Sequence, residues 1–413
     1  MSHRLPLFAG YGVELEYMIV DATTLDVRPR ADILLRNPDG DVASEIDAGA
    51  LAWSNELAAH VIELKTNGPA ARLDGLAATF QHHVRRCNHL LHPHGLRLMP
   101  TAMHPWMDPH AELVLWPHEY GSVYEALHRI FDCTGHGWAN LQSAHLNLPF
   151  DSDDAFRRLH AAVRLVLPIV PALAASSPII DGARRPSLDT RLEVYRTNAR
   201  RIPSLTGQVI PERVDSEAAY ERTVLEPIYA DMRPHDPAGV LRYEWINARG
   251  AIARFGRGTI EIRVTDVQEH PGADLAIAAA IVAVLQALVR EEPSAFDAQH
   301  DIRMESLVEV LHTTTVDADH TVLRDRAYLD RLGFPGGGPC QAHELWRHLI
   351  GTHLARDPFH AEWSPALDVI LDRGCLARRI VARLDGGVTR ESIASVYGEL
   401  CNALEAGVPF HGA

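Results

Sequence analysis

Residues Gly10 to Asp21 read GYGVELEYMIVD, a run that alternates like a buried β-strand yet carries Glu14 and Glu16. Val13, Leu15, Tyr17 and Ile19 fall on one face of such a strand and the two glutamates on the other. Residues i and i+2 lie roughly 7 Å apart along a strand and point the same way. Two carboxylates in an apolar setting cost several kcal/mol each unless a positive charge meets them. At this spacing they could grip two cations about 4 Å apart, as in two-metal sites.

The pattern recurs. ELAAHVIELKTNGP (56–69) places Glu63 within Val61, Ile62 and Leu64, with Glu56 seven residues upstream. QSAHLNLPF (142–150) puts Ser143, His145 and Asn147 on one face against Ala144, Leu146 and Leu148. GTIEIRVTD (258–266) pairs Glu261 and Arg263 on one face against Ile260, Ile262 and Val264. A lone glutamate on a strand is ordinarily solvated, and an antiparallel sheet with one wet face would alternate in this way without any site. Four such strands are harder to dismiss, and oxygen ligands with one imidazole favour Mg²⁺ or Mn²⁺ over zinc.

Strands are expected at 12–20, 59–66, 96–101, 142–148 and 258–265, and helices near 72–91, 154–175, 217–230, 274–290, 342–355 and 389–406. The apolar run 275–289 is shorter than a membrane span and contains Gln286, so it reads as a core helix. FPGGGP (334–339) is the best candidate boundary. The expectation is nevertheless one catalytic domain over 1–413, with the core sheet and site in 10–300 and helices packed on it in 301–413.

Composition narrows the function classes. A formal net charge of -15 repels nucleic acid and anionic membrane, so partners are expected to be small molecules. Cys87, Cys133, Cys340, Cys375 and Cys401 form no CxxC pair. The start MSHRLPLFAG lacks a signal-peptide core, which makes the cytoplasm the default compartment. Lys65 is the sole lysine and follows Leu64, so neither a P-loop nor a protein-kinase layout is present. Any phosphate must be handled by arginine and metal. Segment 183–201 supplies Arg184, Arg185, Arg191, Arg196, Arg200 and Arg201, and YEWINARG supplies Arg249. Histidines crowd 82–118, but no HExxH spacing occurs.

Taken in order, GVELEYMIVD, VIELKTNGP, SAHLNLPF, ALAASSPIIDG, SLDTRLEVYRTN and GTIEIRVTD resemble the glutamate–cysteine ligase family, in its carboxylate–amine ligase branch. The resemblance implies an α+β, glutamine synthetase-like fold: a curved, largely antiparallel sheet forming a funnel, with helices on its outer face. It implies ATP-dependent amide formation through an acyl phosphate, with the γ-carboxylate of glutamate as acid and cysteine or another amino acid as amine. By the same resemblance Glu14, Glu16, Glu56, Glu63, His145 and Glu261 are metal ligands. Arg263, with Glu261, serves the phosphoryl transfer, Arg191 lies near the acid, and Asn147 near the nucleotide. Arg249 is a weaker candidate of the same kind. Ser143 stands where many members have histidine, a departure that bears on the nucleotide side and the amine specificity, and DTR replaces an S-x-R-like element, a departure that bears on the register of Arg191. A homodimer is the assembly the resemblance suggests. The rivals are a guanidino-type phosphotransferase on the same fold, a non-catalytic binding protein on that scaffold, and a metal-dependent hydrolase.

Overall fold

A computed structural model describes residues 4–412. Its centre is an eight-stranded antiparallel sheet. The strands are β1 (Gly12–Asp21), β2 (Glu45–Asp47), β3 (Leu51–Asn55), β4 (Val61–Thr66), β5 (Leu96–Met99) and β6 (Ser143–Pro149). After a two-stranded ribbon of β7 (Ile179–Ile180) and β8 (Ala183–Arg184) come β9 (Ala251–Arg254) and β10 (Thr259–Asp266). The order is β2-β3-β4-β1-β6-β10-β9, with β5 pairing the second half of β1. The strand that opened the sequence reading is therefore the hub of the sheet. It meets β4 along one edge, and β6 and then β5 along the other.

The alternation in β1 sorts its side chains as the period-two rule requires. Val13, Leu15, Tyr17 and Ile19 enter the main apolar core with Phe80 and Ile277. That core holds the helices Leu76–Leu91 and Pro271–Val289, and its members run in sequence from Val13 to Leu404. Pro271–Val289 is long and apolar enough to cross a membrane, but 78% of its most apolar window is buried inside the protein. It packs against helices Asp153–Val166 and His360–Arg373 as well as Leu76–Leu91. On the opposite face Met18 and Val20 join Ile380, Val396, Tyr397 and Leu400. The C-terminal helices thereby close one end of the face that carries Glu14 and Glu16.

Some expected boundaries moved. The helix expected over 154–175 stops at Val166, turns through a 3₁₀ segment at Leu167–Ile169, and resumes for one turn at Pro171–Ala174. Pro168 and Pro171 lack the N–H a continuous helix needs. The helix expected from 72 begins at Leu76. Strands β3 and β9 had no place in the sequence reading, nor did helix Gly121–Phe131, whereas Met304–Asp317 falls in the stretch expected to be helical. The FPGGGP loop is spanned by a short ribbon, β11 (Val322–Leu323) with β12 (Cys340–Gln341).

Candidate active site

Register places the polar side chains in rows across the sheet. Glu14 lies between Lys65 on β4 and His145 on β6. Glu16 lies opposite Glu63, which in turn faces Ser54 on β3. Asn147 lies between Gly12 and Glu261. A Cβ at Gly12 would sit 2.9 Å from that of Asn147, so the close approach of β1 and β6 here requires glycine.

Two groups of ligand atoms result, each with its atoms within 4.8 Å of one another: Glu14, Glu63 and His145, and Glu16, Glu56 and Glu63. Glu63 belongs to both. Hydrogen bonds hold the carboxylates in place. His145 Nδ1 lies 2.9 Å from Glu14, and Asn147 Nδ2 donates to the same carboxylate at 3.0 Å. The Ser143 amide donates to Glu16 at 2.7 Å, and the Ser143 hydroxyl lies 2.9 Å from His145 Nε2. Ser54 donates to Glu63 at 2.7 Å, and Lys65 pairs with Glu63 at 3.1 Å and with Glu45 at 2.9 Å.

The electrostatics are lopsided. Burial raises Glu14, but the hydrogen bond and charge of His145 overcome it and hold the carboxyl at about 2. Burial likewise disfavours charge on His145, and Glu14 and Glu16 more than reverse this. Glu63 is pushed up to about 7 by burial and by Glu14 and Glu16, despite Lys65. Glu56 is driven well above the carboxylate range by burial and by the charges of Glu16 and Glu63. Four carboxylates thus face Lys65, His145 and, beside them, Arg263, a donor set that could hold a divalent cation.

Arg263 stands beside this cluster. β10 shifts register against β6 between Ile262 and Thr265, a bulge that re-aims the strand at Arg263. Its Nε lies 2.8 Å from Glu261, which also accepts from Arg254 at 2.9 Å. The sequence reading expects Glu261 among the metal ligands. Two guanidiniums hold its carboxylate, and it joins neither ligand group. Arg191 is buried, with Nε on Asp266 and Nη2 donating to the Arg263 carbonyl at 3.1 Å. Asp266 also accepts from the Ser176 amide and the Ser177 hydroxyl.

A cavity of about 820 Å³ opens over Glu16, Glu56, Ser143, His145, Arg191 and Arg263. Glu14, Asn147, Glu261 and Arg254 are not in its lining. The row Glu14–His145 thus divides the polar face, with the cavity on the Glu16 side. Arg249, the weaker substrate-side candidate, lies apart from the cavity. Its guanidinium is spent on Glu212, Asn247 and the carbonyls of Ser204 and Leu205, and it does not reach the cavity. Arg191 and Asn147 do lie by the cluster, Arg191 in the cavity lining and Asn147 on Glu14.

Sequence reasoning passed over Lys65 as a site residue. It stands two positions from Glu63 on one strand, a legible signal. Arg254 and Asp266 carried none, because only the β9–β10 pairing and the bulge bring them to Glu261 and Arg191.

The model of glutamate–cysteine ligase family 2 matches residues 11–399. A protein of uncharacterised role from Archaeoglobus fulgidus is 36% identical over 394 residues, covering 95% of this chain and 98% of its own. A Rubrobacter xylanophilus protein provisionally named glutamate–cysteine ligase 2-3 is 27% identical over 304 residues, covering 68% of this chain and 70% of its own. Among solved structures, the glutamate–cysteine ligase of Francisella tularensis in complex with AMP superposes with a TM-score of 0.61 at 11% identity. That match covers 96% of this chain and 89% of the other and establishes the glutamine synthetase-like ligase fold. The chain belongs to glutamate–cysteine ligase family 2 and is an ATP-dependent ligase that forms C–N bonds.

Proposed function

We propose that the chain activates the γ-carboxylate of glutamate with Mg-ATP and joins it to an amine. The observation that carries this reading is a cluster of four carboxylates on neighbouring strands, beside two guanidiniums at the floor of a cavity. The donors are oxygens plus one imidazole, which suits Mg²⁺ or Mn²⁺. Glu14, Glu63 and His145 would hold one ion, and Glu16, Glu56 and Glu63 a second. When bound, such ions neutralise and orient the triphosphate.

The chain's own residues position and stabilise. Asn147 and Ser143 fix Glu14 and Glu16 in place through hydrogen bonds. Arg263, steadied by Glu261, offers a planar fork to charge that builds on the transferring phosphoryl group. Arg191, anchored by Asp266, offers a second guanidinium to a carboxylate of the acid. No nucleophilic side chain is needed, because a carboxylate oxygen of the acid attacks the terminal phosphorus and ADP departs.

Hydroxylamine trapping tests this. With Mg-ATP, hydroxylamine and a panel of carboxylic acids, glutamate is expected to yield γ-glutamyl hydroxamate and stoichiometric phosphate. ATP turnover without hydroxamate for any acid would overturn the reading. Accumulation of a phosphorylated guanidine would replace it with a phosphotransferase.

A further inference from the structure

The cavity's far wall is unlike its floor. Among the described residues, every charged group in the lining belongs to the floor or the cluster: Glu16, Glu56, His145, Arg191 and Arg263. Beyond them the lining is mainly aromatic and aliphatic, with Tyr120, Tyr124, Trp138, Tyr195, Tyr243 and Trp245 supplying the rings and Asn198 an amide. Trp138 stacks on Phe131 with centroids 5.2 Å apart, and Tyr243 on Trp245 at 6.3 Å. These pairs put flat aromatic surface on two sides of the cavity.

Resting on the ligase reading above, we propose that the amine received here is an arylalkylamine: a primary amine on a short chain, with an aromatic body and no carboxylate. Three observations combine. Glu14, Asn147, Glu261 and Arg254 lie outside the cavity, which leaves that side of the polar face for the nucleotide and the cavity for the acid and the amine. A volume of about 820 Å³ is in the range of drug-sized ligand pockets, far more than glutamate and a small amine fill. Finally, the acid and the phosphoryl group employ Arg191 and Arg263, and the far wall offers no further cation to an amino acid's carboxylate. A carboxylate there would meet no cation, whereas an aromatic ring would be matched.

The amine approaches the acyl carbon from the aromatic side. Its nitrogen lone pair forms the C–N bond, and the C–O bond to phosphate breaks with its electrons on the departing oxygen. The proton lost from nitrogen leaves on the phosphate.

The test compares phenethylamine, tyramine, ethylamine, phenylalanine and cysteine as acceptors in phosphate release with glutamate and Mg-ATP. Burying one phenyl ring predicts at least ~30-fold higher kcat/KM for phenethylamine than for ethylamine. Phenylalanine and cysteine are expected below phenethylamine. Val240→Trp, which fills the cavity, is expected to cut the phenethylamine-to-ethylamine ratio at least ~10-fold. Tryptophan fluorescence of the wild-type protein with phenethylamine alone gives a second readout, since Trp138 and Trp245 line the cavity. Hydroxamate formation with cysteine preferred, and no fluorescence change, would overturn this inference and leave the ligase reading intact. Saturable quenching with no hydroxamate from any acid would overturn the ligase reading and leave the cavity's preference for arylalkylamines standing.

Discussion

Glu63→Gln separates a metal site from a mere cluster of acids. Glu63 is the one carboxylate common to both ligand groups, and it faces Lys65, Ser54 and Glu16. A ligand that binds only the folded state at a hundred times its dissociation constant stabilises by about 2.7 kcal/mol. Unfolding entropy near 2.1 cal/mol/K per residue over 413 residues gives about 0.9 kcal/mol/K, so Mg²⁺ should raise the melting temperature by about 3 °C. Glutamine keeps the shape and the Ser54 contact while removing a charge from both groups. The metal-dependent shift should then fall below about 1 °C, while the metal-free variant melts no lower than the wild type. Scanning calorimetry with Mg²⁺ or EDTA at matched ionic strength reads both. Glu45→Gln is the control, because Glu45 pairs with Lys65 but joins neither ligand group, and it should keep the full shift. A full shift in Glu63→Gln, or none in the wild type, would refute the reasoning.

Further expectations concern the arginines and the buried imidazoles. Arg263→Lys should lower kcat at least ~10²-fold with the KM for ATP changed less than about threefold, since an ammonium lacks the planar fork; an effect on KM alone would make Arg263 a ground-state contact. Arg249→Met breaks the pair with Glu212 and should cost roughly 3 kcal/mol in urea unfolding, with the KM of every substrate unchanged. Arg191→Lys should raise the KM for glutamate far more than that for ATP, measured by phosphate release. Burial holds His60 down to about 4 and both His104 and His160 down to about 3. Their neutral forms are favoured by folding, so the stability they allow is complete above the unfolded value near 6.5 and drains as pH falls toward 4 and 3, at up to about 1.4 kcal/mol per unit for each group. Urea midpoints should therefore fall between pH 7 and pH 5, and His160→Phe should flatten that slope.

The sheet and the ligand cluster were legible because both follow from a period of two. Once β1 was recognised, Glu14 and Glu16 had to share a face, and the same rule aligned Ser143, His145 and Asn147. What sequence could not supply was register and irregularity. Glu261 and Arg263 alternate correctly on β10, yet the pairing with β9 brings Arg254 to Glu261 and removes that carboxylate from the ligand groups. The bulge after Ile262 lets Asp266 meet Arg191 across 75 positions of sequence. Arg249 looked like a site residue because its type suits carboxylates, and the carboxylate it found was a structural one, Glu212. The cavity's aromatic wall comes from loops and helices at 120–141, 190–198 and 240–248, where no alternation or heptad marks a shared surface.

Transfer of isotope from the acid to phosphate tests the central claim most directly. Glutamate labelled with ¹⁸O in its γ-carboxylate is turned over with Mg-ATP and an amine, and the released phosphate is weighed by mass spectrometry. If the acid's own oxygen attacks the terminal phosphorus above Glu14, Glu16 and Glu63, each phosphate carries one labelled atom. Phosphate released without label would mean that water, not the carboxylate, takes the phosphoryl group.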